Sequence, residues 1–147
     1  AEARTGKALD AYNPDLKPFA KNGGKLILYQ SWNEMAVPPR TIIDYYSSVE
    51  KAMGGAARTQ DFARLFIVAG DGMCPGFGNA EDFNTLKAVE QWVEKGVAPD
   101  KIIMTHRDDQ RKAFRTRPVC AYPKVAKYKG SGDQNDAANF ICVAPGK

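Results

Sequence analysis

The hydrophobic positions fall into short, separate blocks. Residues 25–30, Lys25-Leu26-Ile27-Leu28-Tyr29-Gln30, follow the turn signal Asn22-Gly23-Gly24 and precede a loop ending in Val37-Pro38-Pro39. A short, nearly unbroken apolar run of this kind predicts a strand buried on both faces. Ile42, Tyr46, Val49 and Met53 then recur at spacings of four, three and four, one apolar stripe of a helix over about residues 39–53. Pro39 suits its first turn and Gly54-Gly55 its stop. Residues 64–69 predict a second strand. The loop Gly70-Asp71-Gly72-Met73-Cys74-Pro75-Gly76 is too rich in glycine for regular structure. A second helix is expected over about 80–95, with Phe83, Leu86, Val89 and Val93 on one face and Gly96 as its cap. Residues 101–105 predict a short third strand.

Strands alternating with helices mean βαβ units and a parallel sheet, hence an α/β fold with a small βαβαβ sheet. Three regions of one domain are expected: an arm over 1–24, the βαβα core over 25–105, and an irregular tail over 106–147. The strand at 25–30 reads as an interior strand, yet the arm before it offers no partner strand. A second copy, another protein chain or a missing N-terminal portion is expected against it.

With 147 residues, 44% of them hydrophobic, the chain can build one core. No apolar run approaches the ~18 residues that would suggest a membrane span. The net charge is +4, densest at Arg107, Arg111, Lys112, Arg115, Arg117, Lys124, Lys127 and Lys129. Asp108, Asp109, Asp133 and Asp136 interrupt that run and no nucleic-acid reading motif accompanies it, so a solvated face is expected and not a nucleic-acid site. Three cysteines, Cys74, Cys120 and Cys142, leave an odd thiol that is unpaired or bonded to something outside this chain. With no Cys-x-x-Cys and only His106 as histidine, neither a zinc site nor any other metal or cofactor is expected. Ala1-Glu2-Ala3 reads either as a mature end left by signal-peptide cleavage or as a trimmed fragment.

From about residue 8 to 143 the chain resembles the C-terminal part of the tannase and feruloyl esterase family of α/β-hydrolases. The resemblance is carried by Asp15-Leu16-Lys17-Pro18-Phe19, Gly23-Gly24-Lys25-Leu26-Ile27-Leu28-Tyr29, Pro38-Pro39-Arg40, Phe62-Ala63-Arg64-Leu65-Phe66, Trp92-Val93-Glu94-Lys95-Gly96 and Ala98-Pro99-Asp100. Its strongest part is the tail, Arg115-Thr116-Arg117-Pro118-Val119-Cys120-Ala121-Tyr122-Pro123, with Tyr128-Lys129-Gly130-Ser131-Gly132 and Asp136-Ala137-Ala138-Asn139-Phe140. The resemblance implies a partial α/β-hydrolase fold and the hydrolysis of aromatic-acid esters by a serine–histidine–aspartate triad. There, an imidazole takes the serine proton and a carboxylate orients the imidazole.

Set against the family pattern, the triad is not intact. No Gly-x-Ser-x-Gly elbow occurs, and Ser131 matches an ordinary tail position. Glu34 stands at the family's acid position, in Gln30-Ser31-Trp32-Asn33-Glu34-Met35-Ala36-Val37-Pro38-Pro39. Met73 stands at the family's histidine position, and a thioether cannot accept a proton near neutral pH. His106 matches a non-catalytic position. The resemblance pairs Cys120 with Cys142 and leaves Cys74 without its usual partner beside the serine, hence free or bonded to another chain.

Two functions are therefore expected. The first is a non-catalytic, degenerate domain, a pseudoenzyme kept as a binding or assembly subunit. The alternative is one chain of a serine carboxylic ester hydrolase whose nucleophile lies on a missing chain. A remnant pocket near Trp32, Met35 and Met73 would suit a small aromatic ligand, and the disulfide implies a secreted or periplasmic setting.

Overall fold

The computed structural model describes residues 11–34, 36–69 and 81–146. Helix α1 (Lys17–Lys21) is one turn within the expected arm. Strand β1 (Leu26–Ser31) leads into helix α2 (Pro39–Met53), then the short helix α3 (Ala56–Gln60) and strand β2 (Ala63–Val68). Along α2 the predicted stripe points inward, with Tyr46 and Val49 buried and Ile42 and Met53 packed beside them. The helix stops where Gly54 enters the left-handed region, φ 88°, which an L side chain resists.

β1 and β2 pair in parallel from Leu26 opposite Ala63 to Ser31 opposite Val68. Because side chains alternate along a strand, β2 feeds both core clusters. Ala63 and Leu65 join Tyr46, Val49 and Phe62 under α2. Phe66 and Val68 join Ile102, Met104, Val119 and Ala121 on the opposite face.

Three expectations are corrected. The helix predicted over 80–95 begins later: strand β3 (Glu81–Phe83) comes first, and helix α4 (Thr85–Lys95) starts where the Asn84 side chain accepts the Lys87 N–H at 2.8 Å. That carbonyl satisfies an otherwise unpaired first-turn donor. The third strand, β4 (Lys101–Arg107), does not extend the parallel sheet. It lies antiparallel between β3 and β5 (Ala113–Cys120) in a separate sheet of order β3-β4-β5. Its alternation, with Ile102 and Met104 buried between exposed Lys101 and Ile103, suits a sheet covered on one face only. The tail is not irregular: β5 continues into an antiparallel pair, β6 (Val125–Tyr128) with β7 (Phe140–Val143).

The Cys120–Cys142 disulfide, Cα–Cα 5.7 Å, ties the end of β5 to β7. The chain also returns to β2. Ala121 bridges Phe66, and the Tyr122 N–H donates to the Leu65 carbonyl at 2.8 Å.

Tyr46 is fully buried and its hydroxyl donates to the Ala63 carbonyl at 3.1 Å. Burial first, and the Glu50 charge second, push its pKa up to about 12, with Arg64 opposing. The unfolded phenol titrates near its ordinary value of ~10. Stability from this group is therefore complete below that value. It falls as pH rises toward the folded value, because only the unfolded state releases the proton. Urea unfolding of the wild type and of Tyr46→Phe, compared at pH 8 and pH 11, should show a smaller alkaline loss in the variant. Equal losses would show that Tyr46 is not the group responsible.

Candidate functional site

The parallel register sets the geometry. Ser31 and Val68 lie opposite each other, so the segments after β1 and β2 leave the sheet at the same end. In parallel α/β sheets, ligands gather at the carboxyl ends of the strands. The segment after β1 carries Trp32 and Glu34. The segment after β2 carries Met73 and Cys74, which, like Met35, lie outside the described residues.

The loop after β1 is held by its own backbone. The Trp32 N–H donates to the Val68 carbonyl at 2.8 Å, extending the pairing by one residue. Ser31 is buried and its Oγ accepts the Asn33 N–H at 3.2 Å. The Glu34 N–H donates to the Ser31 carbonyl at 3.3 Å, and Glu34 Oε1 accepts the Ala36 N–H at 2.9 Å. Gln30 Nε2 closes the loop onto the Val37 carbonyl at 2.8 Å. Glu34 is thus a half-buried carboxylate fixed in a local turn at the sheet's carboxyl end. The Trp32 side chain is 58% exposed beside it. Together they supply one hydrogen-bond acceptor and one aromatic face.

Other candidate residues sit elsewhere. His106 lies on β4, in register with Glu81 and Arg115, its ring 6.2 Å from that of Phe114. Ser131 is exposed in the bend between β6 and β7. Among the described residues no cluster of histidine, cysteine and acidic side chains could hold a metal ion, and no helix is long and apolar enough to cross a membrane.

An aromatic row missed in the sequence joins β1, β3 and β2. The Tyr29 ring meets Phe83 edge-on at 5.7 Å, and Phe83 meets Phe66 at 6.2 Å. The one available signal was Asn84, a helix-capping residue that places Phe83 before the helix.

This architecture has counterparts among known proteins. Residues 2–143 match the model of the tannase and feruloyl esterase family. The mono(2-hydroxyethyl) terephthalate hydrolase of Piscinibacter sakaiensis is 44% identical over 137 residues, 92% of this chain and 22% of that protein. A probable feruloyl esterase of Arthroderma benhamiae is 38% identical over 135 residues, 89% of this chain and 25% of that protein. The crystal structure of feruloyl esterase B from Aspergillus oryzae superposes with a TM-score of 0.85 at 28% identity, over 96% of this chain and 31% of that one. Tannin acyl hydrolase from Aspergillus niger does so at 0.79 and 25% identity, over 98% and 27%. The chain belongs to the tannase and feruloyl esterase family. It spans between about a fifth and a third of the length of these relatives.

Proposed function

We propose that this chain is a non-catalytic member of the family that acts as a binding or assembly subunit. The observation that carries this reading is Met73 at the position of the family's general base. A thioether has no basic site of useful pKa, and loss of one triad member typically costs several orders of magnitude in rate. Ser31, the hydroxyl that ends β1, fits the same reading, since it is buried and its Oγ accepts a backbone N–H. The exposed Trp32 gives the remnant site a face for a small aromatic acid. The disulfide favours a secreted or periplasmic setting.

A second reading keeps the chain inside an enzyme acting on aromatic-acid esters, with the serine on another polypeptide. It is favoured by Glu34, whose carboxylate is held at the sheet's carboxyl end where the acid belongs.

Purified chain should release no acid from methyl ferulate or methyl gallate above the buffer rate. A serine-directed phosphonate should leave its intact mass unchanged. Met73→His alone should stay inactive, because no activated hydroxyl accompanies the new imidazole. Saturable hydrolysis blocked by the phosphonate would overturn the proposal.

A further inference from the structure

We propose that Gln30 and Glu34 are positioning residues: they brace the loop after β1 before any ligand arrives, and so hold Trp32 as a fixed platform for a flat aromatic acid. This rests on the reading of Trp32 as a face for such a ligand and names the side chains that keep it in place.

The donors of the loop come first. The Trp32 N–H reaches the Val68 carbonyl at 2.8 Å, and the Glu34 N–H reaches the Ser31 carbonyl at 3.3 Å. The Asn33 N–H reaches Ser31 Oγ at 3.2 Å, and the Ala36 N–H reaches Glu34 Oε1 at 2.9 Å. The amides of Trp32, Asn33, Glu34 and Ala36 are thus all engaged inside the chain. They are not presented to a ligand oxygen as the donors of an oxyanion hole are. What the loop turns outward is the Trp32 side chain, 58% exposed.

The exit of the loop is fixed as firmly as its entry. Gln30 Nε2 donates to the Val37 carbonyl at 2.8 Å, across seven positions of sequence. The bond ties β1 to the residue before Pro38, the N-cap of α2. Neither Pro38 nor Pro39 has a backbone donor; the Gln30 carboxamide supplies one from the side. Glutamate at this position would keep the shape and lose the N–H. Glu34 acts within the loop. Its bond to the Ala36 amide is the longer counterpart of the turn that Asp and Asn side chains form with the backbone two residues on. That bond needs an acceptor oxygen and no charge, so a carboxamide can make it. A triad acid differs, because its negative charge is what stabilises an imidazolium.

The two side chains contribute preorganisation. A loop that must order on binding weakens affinity by the entropy it loses, and a loop already ordered does not. Ser31 is buried, so its carbonyl and hydroxyl give the loop a fixed base. Gln30 closes the far end, and Glu34 stiffens the stretch between. Trp32 lies inside this frame, so stacking on its indole needs little further ordering of the backbone.

The test compares Gln30→Ala, Gln30→Glu, Glu34→Ala and Glu34→Gln with the wild type. Hydrogen exchange by NMR reads the Asn33, Glu34 and Ala36 amides, and titration calorimetry reads the binding of ferulic acid. Gln30→Ala, Gln30→Glu and Glu34→Ala should speed exchange of these amides by roughly tenfold or more, while amides across β2 keep their rates. Glu34→Gln should exchange as the wild type does. Affinity for ferulic acid should fall roughly fivefold in the same three variants and persist in Glu34→Gln. The urea midpoint should hold in every variant, because the bonds removed are exposed. Exchange unchanged in Gln30→Ala and Glu34→Ala overturns the proposal. So does a Glu34→Gln variant as damaged as Glu34→Ala, which would make the charge the active feature, or a Gln30→Glu variant that matches the wild type. A wild type that binds no ferulic acid, with exchange responding as stated, sinks the reading of Trp32 and supports the brace.

Discussion

Phe66→Ala should cost ~3–5 kcal/mol of folding stability, the range for truncating a buried aromatic. Phe66 is fully buried on β2 and packs with Val68, Ile102, Met104, Val119 and Ala121. It bridges Ala121 through the backbone and meets the Phe83 ring at 6.2 Å. It thus joins the parallel pair to the antiparallel sheet. Domains typically have only ~5–15 kcal/mol in total, so the variant should be unfolded in a substantial fraction or lose much of its urea midpoint. Equilibrium urea unfolding by circular dichroism would measure this. A loss under 1 kcal/mol would mean that the two sheets are not held together through this residue.

The second large effect belongs to the disulfide. Cys120 and Cys142 are 22 residues apart, and closing a loop of that length is worth ~3 kcal/mol by the chain-entropy relation. The bond pins β7 to the end of β5. Without it the β6–β7 pair keeps its four-residue register, the Tyr128–Phe140 ring contact at 5.4 Å and the Arg117 guanidinium 4.6 Å from the Phe140 ring. A double Cys120→Ala, Cys142→Ala variant should lower the urea midpoint by an amount matching that loss. Hydrogen exchange should speed up first in β6 and β7. Exchange accelerating uniformly across β2 and α2 instead would show that the tail is not a separate unit of stability.

Legibility from sequence tracked how much of each signal is local. Helix α2 was readable over about residues 39–53 because its stripe, its first-turn proline and its glycine stop agree, and each acts within a few positions. The strand at 101–107 was readable as a strand, but its direction was not. Direction is set by β5, whose Arg115 and Arg117 disguise a strand as a charged tail. α4 was misread for a different reason. Its apolar arc is wider than the surface beneath it, so Leu86 and Val93 looked like core while Ala88 and Trp92 took the covered side. Trp92 gains its burial from Arg64 and Lys25, partners distant in sequence and invisible to any periodicity. At the site, resemblance to the family picked out Glu34. That its carboxylate holds the Ala36 amide depends on a turn the loop composition alone does not specify.

The return of the chain at Ala121 and Tyr122 has one further consequence. Those residues pair with the far side of β2 at Leu65 and Phe66, so that margin of the parallel sheet is partly taken. Fibre growth through stacked strands requires a vacancy at both margins, each subunit offering one and accepting at the other. Here the chain's own return takes up the middle of β2's free margin, which works against open-ended stacking of strands on that side.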